Sequence, residues 1–218
     1  MNIKAENLSV RLAGTEILHS ISFEIPDKSF TCVVGPNGSG KSTMLRAISK
    51  DILDYSGHIT DLNNDEVAYL PQNLEAPPFL SILDVTCLGF YGKTISHEEK
   101  LEAAYALLEQ CGIAAIQSRR FTDVSAGERQ RTWLAFALAQ SKDVILMDEP
   151  LSSIDIPSRK SFYNLLQDIV VTGKTIVVVT HDIDMAVLYS NRIICLDKGV
   201  KTFEGDPEVF QQKHPYDM

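Results

Sequence analysis

What this 218-residue sequence lacks narrows its class before any motif is read. It has no apolar run approaching the roughly 20 residues that a membrane-crossing helix needs; Trp133 to Ala139 is typical of its longest stretches. The opening Met1-Asn2-Ile3-Lys4-Ala5-Glu6 carries no apolar core of a secretory signal, so a soluble chain is expected, reaching a membrane only through a partner. Basic residues are outnumbered, with 20 Lys and Arg against 29 Asp and Glu. The resulting net charge of −9 argues against nucleic acid or an anionic membrane surface as the main partner. Cys32, Cys87, Cys111 and Cys195 include no close pair at metal-ligand spacing, and the five histidines form no cluster. The cysteines are therefore expected to be reduced thiols filling core space. No internal repeat, low-complexity stretch or linker interrupts the chain.

What is present reads as a single large α/β domain, residues 1–218, since 44% of the chain is hydrophobic. Ile21, Phe23 and Ile25 alternate with polar residues after a turn at Ala13-Gly14-Thr15, the pattern of an antiparallel strand. Phe30 to Val34, Asp143 to Met147 and Thr175 to Thr180 are short apolar runs of the kind buried parallel strands show. Helices are expected over Ser42 to Ser49 and Pro157 to Val171. Another is expected after Ser96, where Glu99 completes a capping box and Gly112 ends an apolar stripe of Leu101, Tyr105 and Leu108. Asp197-Lys198-Gly199 reads as a hairpin turn. The sum is a parallel α/β core with an N-terminal antiparallel β edge and an inserted helical subdomain at roughly residues 77–140.

The chemistry begins at the end of the Phe30–Val34 strand. Gly35-Pro36-Asn37-Gly38-Ser39-Gly40-Lys41-Ser42, with Thr43 following, satisfies the phosphate-loop pattern G-x-x-x-x-G-K-[ST]. Glycines let the backbone curl so that successive amides point at phosphate oxygens, and the following helix adds its positive end. Lys41 can reach the β- and γ-phosphates, and the Ser42 hydroxyl can ligate Mg²⁺. Alone, this motif says nucleoside triphosphate and does not choose among kinase, GTPase and motor. Val144-Ile145-Leu146-Met147-Asp148-Glu149-Pro150 supplies a second part, a buried strand ending in two acids. Asp148 at the strand end suits Mg²⁺, directly or through water. Glu149 projects where an attacking water would sit and can act as its base.

About twenty residues before that strand lies Val124-Ser125-Ala126-Gly127-Glu128-Arg129-Gln130-Arg131. With the two motifs above, it resembles the ATP-binding subunits of ABC transporters, whose signature is Leu-Ser-Gly-Gly-Gln. Further marks follow in the family's order. Gln72 in Tyr69-Leu70-Pro71-Gln72 looks like the Q-loop glutamine, Ser152-Ser153-Ile154-Asp155 like the D-loop, and His181 in Thr180-His181-Asp182 like the switch histidine. The resemblance covers essentially the whole chain. It implies that ATP and Mg²⁺ are bound, with Ser42, Gln72 and Asp148 around the metal. It implies that Glu149, His181 and Gln72 act at the hydrolytic centre, and that Ser125, Gly127 and Asp155 join the phosphate loop in holding nucleotide.

Ser125 with Glu128 is also a capping-box pattern, hence a helix start, and a helix start with free amides is an anion site. The family presents it to the γ-phosphate of ATP held by another subunit, so two copies related by a two-fold axis would enclose two ATPs. The resemblance further implies integral-membrane permease subunits as partners and, through them, a substrate-binding protein. It places the chain on the cytoplasmic face of a bacterial inner membrane. Asn73 to Tyr91, with Pro77-Pro78-Phe79, is either the face toward the permease or the packed junction between core and helical subdomain.

Three departures from the family pattern stand out. Leu12 occupies the position of the aromatic residue that stacks on adenine. Ala126 replaces a signature glycine, harmless where φ is negative and costly where it is positive. Glu128 replaces the signature glutamine and is favourable as an acid at a helix N-terminus.

Only 30 residues separate Lys41 from Gln72, an economy resembling the subunits of zinc and manganese importers. Arg131 to Gln140 and Ile154-Asp155-Ile156 look more like subunits that import iron chelates and cobalamin. Both point to a metal ion or metal chelate as cargo. The reading from another class is a soluble ABC-type ATPase acting as an assembly or regulatory scaffold. A P-loop kinase would lack the signature, Gln72 and His181.

Overall fold

The alternating segment forms the strand that its pattern predicts. In the computed structural model, which describes residues 2–60, 62, 66–151 and 154–213, β1 (Ile3–Leu12) and β2 (Thr15–Ile25) form an antiparallel hairpin around Ala13-Gly14. Phe30–Val34 is β3 and runs directly into the phosphate loop, after which α1 (Lys41–Ile48) follows. β4 (Tyr55–Ile59) pairs antiparallel with β1, completing a three-stranded sheet of order β2-β1-β4.

The second sheet is the core. With β5 (Val67–Leu70), β6 (Val144–Asp148), β7 (Thr175–Val179), β8 (Arg192–Asp197) and β9 (Val200–Gly205), it takes the order β5-β6-β7-β3-β8-β9. Its pairings are parallel except β8 with β9, a hairpin closed by Lys198-Gly199. The N-terminal antiparallel strands thus form a sheet of their own, and the antiparallel edge of the core sheet is the C-terminal β9.

Every residue of β3, β6 and β7 is buried, because helices and the second sheet cover both faces. On one face Val33, Leu146, Val177 and Ile194 pack with Met44, Leu45 and Ile48 of α1 and with Leu8, Val10 and Phe23 of the β1–β2 sheet. On the other face Cys32, Met147 and Val178 meet Phe162, Leu166 and Ile169 of a longer helix that follows β6. Period-two side-chain alternation thus divides each strand between two cores.

Between β5 and β6 the chain is helical. α2 (Ile82–Leu88), α3 (His97–Gln110) and α4 (Ala126–Ala139) each begin on a serine capping box: Ser81 with Asp84, Ser96 with Glu99, and Ser125 with Glu128. Leu108 of the expected α3 stripe is fully buried, joined by Ala104, whereas Tyr105 is 40% exposed. The buried stripe therefore keeps Leu108 and passes through Ala104 in place of Tyr105. α5 (Ile156–Val171) starts on Asp155 as N-cap, with Pro157 in its first turn. α6 (Ile183–Tyr189) and α7 (Pro207–Lys213) finish the fold. Among the described residues, no helix is long and apolar enough to cross a membrane.

The consequence for function is positional. Gly35, Gln72, Glu149 and His181 come one or two residues after the carboxyl ends of β3, β5, β6 and β7. Parallel pairing places those ends along one rim, the rim where open α/β sheets bind ligands.

Candidate active site

The phosphate loop is built from close approaches that exclude side chains. A Cβ on Gly35, at φ 142°, would stand 2.0 Å from the Leu196 carbonyl oxygen. One on Gly40, which caps α1 at φ 101°, would stand 2.5 Å from Leu18 Cδ2. Lys41 is 5% exposed; its Nζ donates to the Gly35 and Pro36 carbonyls at 2.8 and 2.9 Å. Burial lowers its pKa, against the pull of the Glu149 and Asp148 carboxylates. Ser39 Oγ is buried with no hydrogen-bond partner among the described residues. A buried hydroxyl there fits a ligand with hydrogen-bonding oxygens, as a phosphate has.

The loop opens onto a cleft of about 430 Å³, lined by Asn37, Gly38, Gly40, Lys41, Ser42, Thr43, Gln72, Glu149 and Ile17. Beneath it, Ser42 Oγ donates to Asp148 Oδ1 at 3.0 Å. Burial raises the Asp148 pKa, and that hydrogen bond opposes the rise. A hydroxyl and a carboxylate side by side are hard oxygen donors, the set that Mg²⁺ prefers.

Three catalytic candidates converge on one atom. Glu149 Oε2 accepts a hydrogen bond from Gln72 Nε2 at 3.0 Å, and His181 Nδ1 lies 3.8 Å from the same oxygen. Glu149 reaches this place through a turned backbone: its φ is 47°, and its N–H donates to the Val179 carbonyl at 3.0 Å. A non-glycine residue there carries strain of order 1 kcal/mol. The neighbouring strand β7 holds it in place.

The signature lies elsewhere. Ser125 caps α4: its N–H donates to Glu128 Oε2 at 2.7 Å, and its Oγ accepts from the Glu128 N–H at 3.3 Å. The Ser125 N–H, and after it the Ser125 side chain, stabilise the charged Glu128 carboxyl and hold it below its usual range. Ala126 sits in the first turn of the helix and outside the positive-φ residues, so its methyl costs nothing. A Cβ on Gly127 would meet only Ser158 Cβ, at 3.8 Å. Among the described residues, nothing therefore demands glycine there.

Ser125, Gly127, Glu128 and Arg131 line a second concavity of about 430 Å³ with Ile154, Pro157 and Ser158 of the α5 start. Its walls share no residue with the phosphate-loop cleft. Asp155 stands at the same α5 start, where its Oδ1 accepts from the Ser158 N–H at 3.0 Å. The fold thus gathers the phosphate loop with Gln72, Asp148, Glu149 and His181, and keeps Ser125, Gly127 and Asp155 apart. Ser152 and Ser153 of the D-loop-like run lie outside the described residues.

Sequence reasoning missed Ile17, which lines the phosphate-loop cleft from β2. No sequence motif marks this isoleucine, whose place at the cleft depends on the fold. Leu12 is half-buried too, packed against the core between the sheets and paired with Thr15 across the hairpin.

Comparison with known proteins agrees with this geometry. The ABC transporter family model matches residues 18–152. The zinc import ATP-binding protein of Cereibacter sphaeroides is 32% identical, over 98% of this chain and 86% of its own. The ferric enterobactin transport ATP-binding protein of Escherichia coli is 30% identical, over 94% of this chain and 82% of its own. A bacterial ABC transporter cassette solved as a dimer superposes with a TM-score of 0.81 at 28% identity, covering 94% of this chain and 98% of that one. The chain belongs to the ABC transporter family, as one of its ATP-binding and ATP-hydrolysing cassettes.

Proposed function

We propose that the chain powers import of a metal ion, or of a metal chelate, across a bacterial inner membrane. It works as a homodimer docked from the cytoplasmic side on integral-membrane permease subunits, with a substrate-binding protein delivering cargo to the permease. The relatives named for zinc and ferric enterobactin transport support this over the soluble-scaffold reading.

The observation that carries the mechanism is the separation of two half-sites on one chain. ATP is held at the phosphate loop by backbone amides and by Lys41, which exchanges its contacts with the Gly35 and Pro36 carbonyls for phosphate oxygens. Ser42, Asp148 and Gln72 would hold Mg²⁺, which supplies charge neutralisation on the phosphates. Glu149 orients and deprotonates the attacking water, and His181 holds that water and the γ-phosphate in place. The α4 start of the second copy, with Ser125 and Gly127, faces the γ-phosphate and completes the site. The mouth of one half-site is closed by the other, which keeps bulk solvent out while the one attacking water stays held by Glu149 and His181.

The docking face for the permease is the stretch from Asn73 to Tyr91, where Phe79 is 75% and Tyr91 94% exposed. Apolar side chains this open fit an aromatic anchor waiting for a partner.

The test is genetic. A strain lacking the chain should fail to grow when zinc, manganese or chelated iron is limiting. The intact chain should restore growth under one of these limitations, and Glu149→Gln should not. Normal growth of the deletion strain under every limitation counts against metal import. Copurification with no multi-span membrane protein counts for the scaffold reading.

A further inference from the structure

Arg159, on α5, reaches two segments at once. Its Nε donates to the Ile154 carbonyl at 2.7 Å, one residue before Asp155. Its Nη1 meets Asp182 Oδ2 at 2.7 Å, one residue after His181. The two side chains are 27% and 17% exposed, so solvent screens the pair less than an open surface pair. Asp182 is fixed from two further directions. Its N–H donates to Thr180 Oγ1 at 3.0 Å, and its Oδ1 accepts from the Met185 N–H at 3.2 Å, capping α6.

The contacts continue toward the hydrolytic centre. His181, next in the chain to Asp182, approaches Glu149, which Gln72 also holds. Arg159, Asp182, His181 and Glu149 all border one small internal gap, together with Tyr163 and Thr180. Arg159 lines neither the phosphate-loop cleft nor the signature concavity; its fork is engaged by Ile154 and Asp182 instead. Its planar fork serves two acceptors at fixed angles, which a lysine's point charge does not.

We propose that Arg159 is a positioning residue that ties the His181 segment to the Ile154–Asp155 segment, so that the hydrolytic centre and the surface facing the second copy keep one geometry. This rests on the reading of Glu149 and His181 above. A clamp of this kind acts on the rate of the chemical step and leaves ground-state nucleotide binding alone.

The experiment compares steady-state ATPase, affinity for a fluorescent ATP analogue and thermal melting in the full chain. Arg159→Ala should lower kcat by about tenfold while KM and analogue affinity stay within about twofold. Asp182→Asn keeps a good helix cap and removes the charge, so it should show the same split with an unchanged Tm. The double variant should lose no more than the larger single loss, because both break one link. Arg159→Lys should recover only part of kcat.

Unchanged kcat in Arg159→Ala and Asp182→Asn overturns the proposal. So do additive losses in the double variant, or losses that follow Tm. If Arg159→Ala does not fold, Asp182→Asn and Arg159→Lys decide the same question. Glu149→Gln run alongside separates the levels. If it stays active, the site reading beneath the proposal fails; if it is inactive while Arg159→Ala is normal, only the clamp fails.

Discussion

Gln72 and Glu149 are 77 positions apart in sequence, yet Gln72 Nε2 lies 3.0 Å from Glu149 Oε2. Strand register explains it. Leu70 pairs with Met147 in the parallel β5–β6 ladder, so each strand delivers its next residues to the same rim. The glutamine holds the carboxylate beside His181, in the cleft that Lys41 also lines.

Glu149→Gln replaces the proposed base with an isosteric amide that cannot take a proton. The expected result is a loss of hydrolysis of about 10²-fold or more, with ATP affinity within about twofold. ATP should then hold the two copies together, visible as a dimer in size exclusion with ATP and a monomer without it. A fully active Glu149→Gln protein would show that the base lies elsewhere.

Gly127 gives a separation of stability from activity. The described residues leave room for a methyl, the nearest atom among them being Ser158 Cβ at 3.8 Å. Alanine in a helical turn gains up to about 1 kcal/mol over glycine, so Gly127→Ala should melt at the same temperature or roughly 2–4 °C higher. If a second copy's ATP presses on this turn, ATPase should nevertheless fall. Full ATPase activity would mean that nothing approaches Gly127 from outside.

Leu12 and Ile17 give competing predictions for the base. Leu12→Tyr should tighten ATP binding by about twofold to tenfold, the worth of one stacked aromatic contact. An unchanged affinity would remove Leu12 from the base site. Ile17 lines the cleft directly, so Ile17→Ala should weaken ATP binding whichever way Leu12 behaves. Equilibrium titration with a fluorescent analogue reads both.

Asp148 makes a prediction about pH. Burial raises its folded pKa above the unfolded value. Between those two values the folded state binds more protons, so stability falls as pH rises through that window. The penalty is complete above the folded pKa and absent below the unfolded one. Asp148→Asn keeps an oxygen to accept from Ser42 Oγ and removes the buried charge. Without nucleotide, it should raise Tm at pH 7 and leave it unchanged below the usual aspartate range, while lowering ATPase activity. An equal Tm difference at both pH values would show that the carboxylate's burial is not the cause.

Much of this was legible because it is local. Phe30 to Val34 reads as a strand buried on both faces, and it is one. The serine boxes at Ser96 and Ser125 declare helix starts within four residues, and the hydrogen bonds form. What escaped is non-local. β4 is the polar run Tyr55-Ser56-Gly57-His58-Ile59, a strand only because β1 lies alongside it. Tyr105 fits a helical stripe by spacing, but the stripe is set by where α2 and α4 press on α3. Ile17 and Arg159 carry no motif, since their roles depend on which loops the sheet brings near them.

Phe79 tests the link to transport. At 75% exposure it contributes little to its own fold, so Phe79→Asp should change stability by about 0.5 kcal/mol or less. A carboxylate placed where an apolar anchor must enter a partner's pocket would be buried unpaired, which is strongly unfavourable. ATPase of the isolated chain should therefore persist while metal uptake by the assembled transporter is lost and copurification with the permease weakens. Persisting uptake would move the docking face away from the Asn73–Tyr91 stretch. Loss of ATPase together with uptake would place Phe79 in the fold and not at the interface, since a docking residue has no reason to alter hydrolysis in the free chain.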